Sequence, residues 1–126
     1  MYYEKLALEV GATVAGYEVA KPPRILGASG VEQKFDFVAS EEGTKYAFDI
    51  YNDVGEVEIL RTYVKKMDTG AETFIVCLSG RPKDRAKELS VNYGIQILGP
   101  KEVGDLFTKR ITKLIGTTRQ TARLSQ

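Results

Sequence analysis

Apolar positions recur along this chain with two different periods, and each period predicts an element. Between residues 2 and 10, Tyr3, Leu6, Ala7 and Val10 fall on one helical face and Gly11 is a natural stop, so a short N-terminal helix is expected. Tyr17 and Val19, then Ile25 and Leu26, predict extended structure interrupted at Lys21-Pro22-Pro23, where the second proline pushes Pro22 out of the helical region. Tyr17 to Ala20 therefore reads as an irregular edge strand. After the glycine-bearing turn Gly27 to Gly30, two β-patterned runs, Lys34 to Ser40 and Thr44 to Asn52, flank the polar turn Glu41-Glu42-Gly43 and predict a hairpin.

From Glu56 the pattern turns helical. Val57, Leu60, Val64 and Met67 share a face that Ile59 and Tyr63 widen, and this face is expected to be buried, with Asp53 or Gly55 as the cap. Thr73 to Leu78 is a continuous apolar run, as in a central strand covered on both sides and paired in parallel. Ser79-Gly80-Arg81-Pro82 opens another helix, with Ala86, Leu89 and Tyr93 inward and Gly94 at its end. Ile95 to Leu98 is a short strand, and Gly99-Pro100 starts a last helix whose inward face is Val103, Phe107, Ile111 and Leu114. The expected order is αβββαβαβα: an α/β domain over residues 1–116, built on a mixed sheet flanked by helices, followed by a basic C-terminal tail over 117–126.

Composition narrows the chemistry more than the architecture. A chain of 126 residues, 43% hydrophobic, suits one core. No apolar run approaches the ~20 residues that span a bilayer, so no membrane partner and a cytoplasmic location are expected. The chain has no histidine, which excludes Ser-His-Asp and Cys-His catalysis and His-ligated zinc. The single Cys77 lies inside an apolar strand and reads as a core residue. Carboxylates, lysines, tyrosines and an oxygen-ligated divalent cation remain. No Gly-x-Gly-x-x-Gly follows a strand, so no organic cofactor is expected.

Charge is divided unevenly. Residues 1–64 hold 11 acids and 6 bases, whereas 65–126 hold 6 acids and 12 bases. No acid follows Asp105, while Lys109, Arg110, Lys113, Arg119 and Arg123 do. That asymmetry suits either a polyanion or the acidic surface of a second copy, a solvated helix face being the plain alternative. Lys65-Lys66 reads as a solvated helix end, favourable with the helix dipole.

Two carboxylates interrupt the hairpin's apolar runs: Asp36 between Phe35 and Phe37, and Asp49 between Phe48 and Ile50. A strand buries such an acid only reluctantly, so the pair calls for a metal, a hydrogen-bond network or plain solvent exposure on one face. On neighbouring strands the two carboxylates are placed to share one face and one hard cation. The structural alternative is Asp36 on the amides of the glycine turn and Asp49 paired with Lys45 or Lys34.

These residues, in this order, carry a resemblance. Tyr3-Glu4, Gly16-Tyr17-Glu18-Val19, Gly27-Ala28-Ser29-Gly30, Phe35-Asp36-Phe37-Val38-Ala39 and Phe48-Asp49-Ile50-Tyr51 line up with the pattern of the restriction-endonuclease-like (PD-(D/E)xK) superfamily. The chain most resembles its Mrr-like type IV restriction endonuclease branch. The resemblance implies a restriction-endonuclease-like fold and Mg²⁺-dependent phosphodiester hydrolysis, with Asp36 and Asp49 on the metal, Glu4 as an accessory carboxylate, and DNA held by Lys109, Arg110, Lys113, Arg119 and Arg123. The chain departs from the pattern where the family's lysine should stand, two residues after the second acid: Tyr51 is there. Two functions are therefore expected as alternatives. One is a DNA-binding, Mg-dependent endonuclease; the other is a catalytically inactive relative acting as a protein-interaction or self-association module, with a homodimer as the simplest partner.

Overall fold

The computed structural model describes residues 2–103 and 105–107. Helix α1 (Tyr2–Val14) leads into β1 (Glu18–Val19), β2 (Arg24–Leu26), β3 (Glu32–Lys34), β4 (Phe37–Glu41) and β5 (Thr44–Tyr51). Helix α2 (Glu56–Thr69), β6 (Glu72–Cys77), α3 (Asp84–Tyr93) and β7 (Gln96–Leu98) follow. Residues 100–103 and 105–107 are helical. The main sheet has the order β1-β4-β5-β6-β7. Its first two pairings are antiparallel and its last two parallel, so the fold is an α/β domain with a mixed sheet and helices on both faces. Among the described residues no helix is long and apolar enough to cross a membrane.

The β4–β5 hairpin forms as its sequence predicts. Glu42 and Gly43 both have positive φ, 50° and 84°, the requirement of a two-residue turn whose twist matches the strands it joins. The run from Lys34 divides, however: Glu32–Lys34 pairs with Arg24–Leu26 in a separate two-stranded sheet, and a bend at Asp36 precedes β4. That adds two strands to the expected order.

Strand alternation decides what each face receives. Phe37, Phe48, Ile50 and Val76 point to one side, where Leu8 and Ala12 of α1 meet Val103 and Phe107. Aromatic rings fill this layer: Phe48 stacks on Phe74 at 4.8 Å between centroids, and Tyr17 meets Phe107 edge-on at 5.1 Å. Ile75 and Cys77 point to the other side, under Ile59 of α2 and Ala86 and Leu89 of α3, where Tyr63 and Tyr93 stack at 4.2 Å. Cys77 is a fully buried core residue, as its strand predicts.

Both long helices bury faces other than those their sequences suggest. In α1 the inward residues are Leu8 and Ala12, whereas Tyr3, Leu6 and Val10 are exposed. The helix also runs through Gly11, whose missing side chain makes room for Phe107: a Cβ there would lie 3.2 Å from the ring. In α2 the inward residues are Ile59 and Thr62, and Val57, Leu60, Val64 and Met67 face outward. In both helices the more continuous apolar stripe faces outward, and helical periodicity by itself does not say which face meets the sheet.

Candidate functional site

Asp49 sits in the middle of β5, 3% exposed, with its carboxylate turned under α2. Two side chains from consecutive turns of that helix meet it. Thr62 donates its hydroxyl to Oδ2 at 2.7 Å, and the Lys65 ammonium lies 2.8 Å from Oδ1 and 2.7 Å from Oδ2. Lys65 also donates to the Lys34 carbonyl at 2.8 Å and lies 4.5 Å from the centre of the Phe35 ring. The ammonium thus has a bidentate carboxylate, a carbonyl and an aromatic face, the surroundings that make burial of a charge tolerable.

The counter-ion of Asp49 is therefore Lys65, not Lys45 or Lys34, and Lys65 is no solvated helix end. The clue in the sequence is spacing: Ile59, Thr62 and Lys65 follow one another every three residues, on the face that packs against the sheet. Because that face carries only one bulky apolar residue, hydrophobic patterning passes over it.

Asp36 has different partners. At the bend before β4 its own N–H bonds the Phe48 carbonyl at 2.9 Å, and its carboxylate accepts the Ile50 N–H at 2.6 Å. The carboxylate takes the amide that a neighbouring strand carbonyl would take in an unbroken ladder. The amide it caps thus belongs to β5, not to the glycine turn. Asp36 also lines a cleft of about 240 Å³ with Lys5 and Glu9 of α1 and with the segment from Val19 to Pro23. Glu9 forms an ion pair there with Lys21. The α1 acid at this cleft is Glu9, while the predicted Glu4 is half-buried elsewhere on the helix.

Tyr51 is where the two acids come together electrostatically. Burial is the first cause that raises its phenol above the usual value of 10; the Asp49 and Asp36 carboxylates push the same way, against a hydrogen bond with Thr62 and the Arg61 charge. The position thus holds a neutral phenol beside two acids, with the Arg61 charge of α2 acting on it in the opposite sense.

No family model and no curated protein matches the chain. Among solved structures, the crystal structure of a protein of unknown function, AF1548, is similar in fold, with a TM-score of 0.58 and 21% identity over 76% of this chain. The chain spans 57% of that protein's length. At this identity the likeness bears on the fold alone.

A magnesium ion asks for near-octahedral oxygen ligands at ~2.0–2.1 Å. At Asp49 it would have to displace an ammonium and a hydroxyl, and at Asp36 one oxygen already holds an amide. Among the described residues no group of three or more His, Cys, Asp or Glu side chains gathers into a cage. As arranged, these donors do not fit the ion. The expected DNA contacts Lys109, Arg110, Lys113, Arg119 and Arg123, and the inward positions Ile111 and Leu114, lie outside the described residues, as does the boundary at 116.

A second acidic anchor lies at the far end of α2. Asp68 accepts the Ser29 N–H, the Ser29 hydroxyl and the Gln33 amide, each at 2.8 Å, and these bonds hold its carboxyl below the usual carboxylate range, those to Gln33 and Ser29 leading. Gly27 leaves room for this carboxylate, since a Cβ would fall 1.9 Å from Asp68 Oδ2 and push that side chain aside. The small β2–β3 sheet is thereby pinned to α2.

Proposed function

We propose that this chain is a nuclease-like domain that does not cleave phosphodiesters through a divalent metal, and that it serves as an association module. The observation that carries this reading is the state of Asp49: both of its oxygens are held by Lys65 and one also by Thr62, beneath a packed helix. A carboxylate in that position joins α2 to β5. Tyr51, in place of the lysine of the resembling family, supports the same reading, because a half-buried neutral phenol supplies no charge to an attacking water or a phosphate.

A plasmid-nicking assay with Mg²⁺ or Mn²⁺ tests it on the wild type, Asp36→Asn, Asp49→Asn and Lys65→Ala. No metal-dependent nicking is expected from any of the four. Nicking by the wild type that disappears in both aspartate variants would overturn the reading and restore the Mg-dependent endonuclease.

DNA binding is a second reading, favoured by the acid-free run after Asp105. If several of its cations meet phosphates, log affinity falls with log salt by ~0.9 for each charge neutralised. Filter binding across a salt series measures that slope, and a flat line removes DNA from the account.

A further inference from the structure

Helix α2 has more apolar surface than its own fold uses. Its inner face is complete: Ile59 and Thr62 are buried, Lys65 is bound to Asp49, and Tyr63 stacks on Tyr93. On the outer face, Val57, Leu60, Val64 and Met67 stand 55%, 42%, 63% and 65% exposed. Their spacing of three, four and three residues is that of the a and d positions of a heptad, the seam along which two helices interlock. Scattered exposed apolar residues are ordinary, but a continuous seam along a 14-residue helix is not.

We infer that this seam binds the same seam of a second copy of the chain, the two α2 helices lying antiparallel across a two-fold axis between Leu60 and Val64. This rests on the reading of the domain as an association module and names the partner. In that arrangement Val57 of one copy meets Met67 of the other, and Leu60 meets Val64. A shallow groove of about 490 Å³, lined by Tyr63, Val64, Met67, Asp68, Ser29 and Gln33, runs beside the C-terminal half of the seam and receives the partner's N-terminal half.

Charge selects this partner and this direction. The first turn of α2 is acidic, with Glu56 and Glu58, while its last turn holds Lys66 together with Asp68 and has no net charge. Arg61 and Asp68 both sit one position after a seam residue, toward opposite ends of the same flank. Antiparallel pairing brings each Arg61 toward the partner's Asp68 and keeps the two acidic first turns apart. Parallel pairing would stack acidic turn on acidic turn. Because four side chains cover less than the roughly 800 Å² per partner of a standard stable interface, the dimer is of the weak, concentration-dependent kind.

Sedimentation equilibrium of the 126-residue chain across a concentration series reads the association. The wild type is expected to pass from monomer to dimer as concentration rises. Leu60→Glu with Val64→Glu should remain monomeric with an unchanged far-UV circular dichroism spectrum, since both positions are exposed, and Arg61→Glu should weaken the dimer several-fold. Direction is read by mild oxidation of Val57→Cys mixed with Met67→Cys: a disulfide between the two variants is expected, and Cys77, being buried, stays out of the reaction. A wild type that is monomeric throughout, or a double-glutamate variant that dimerises as well as the wild type, overturns the inference. Capture of the seam by the chain's own residues 108–126 would appear as a monomer that begins to dimerise when they are removed, and it too overturns the inference. None of these results bears on nicking, so the dimer can fail while the non-cleaving reading stands, and the reverse.

Discussion

The two faces of the sheet solve one problem in opposite ways. On the α1 side, β4, β5 and β6 send in Phe37, Phe48, Ile50 and Val76, and Phe37, Phe48, Phe74 and Phe107 interleave in an aromatic layer. On the α2 side, the same strand β5 sends in Asp49, and the helix answers with Thr62 and Lys65. An apolar layer holds a helix by area and tolerates sliding. A buried ion pair holds it at one register, because the charges are satisfied in a single geometry. Removing one partner from each layer should therefore have different consequences.

The largest loss is expected at Phe48→Ala, where deleting a fully buried ring costs about 3–5 kcal/mol in urea unfolding. Lys65→Ala strands a buried carboxylate and should cost about 3 kcal/mol, the lower end for such pairs because a fifth of the Lys65 side chain reaches solvent. The comparison sharpens with a rescue: Asp49→Leu combined with Lys65→Met should recover most of the loss, as a charge pair exchanged for apolar residues usually does. No second substitution refills the space left by Phe48 so simply. A cost below ~1 kcal/mol for Lys65→Ala would place the pair with ordinary surface ion pairs and end the contrast.

Titration gives smaller effects at two places, Tyr51 at the end of β5 and Asp68 near the end of α2. An unfolded tyrosine ionises near 10, whereas Tyr51 is held neutral to higher pH, chiefly by burial. Its contribution is thus complete below pH ~10 and fades as pH rises from there through the folded value. Tyr51→Phe should flatten that alkaline limb in denaturation series above pH 9. At Asp68 the sign reverses. The folded carboxyl is held below the unfolded value of ~3.9, so its contribution is complete above that value and is lost as pH falls through the folded one. Asp68→Asn should remove this acid limb. Gly27→Ala, which forces Asp68 aside, should speed hydrogen exchange in the amides of β2 and β3 while leaving those of β6 slow.

What was legible in the sequence was local. The hairpin at Glu42-Gly43 is written in residues that accept positive φ, the buried strand at Thr73 to Leu78 in an unbroken apolar run, and the end of α3 in Gly94. Each depends on a few consecutive residues, so pattern and structure agree. Asp36 and Asp49 also stood out, because an acid within a strand calls for a partner whatever the fold.

The partner itself was decided only in three dimensions. Lys65 lies sixteen residues from Asp49, and nothing in Lys65-Lys66 separates a bound ammonium from a solvated one until α2 is laid on β5. The seam of α2 has the same origin. Val57, Leu60, Val64 and Met67 make the better amphipathic stripe by periodicity, yet the sheet takes Ile59 and Thr62, because the carboxylate of Asp49 needs the polar face of that helix. Periodicity shows that a face is apolar; which face turns inward follows from the most expensive group beneath it, here a buried charge.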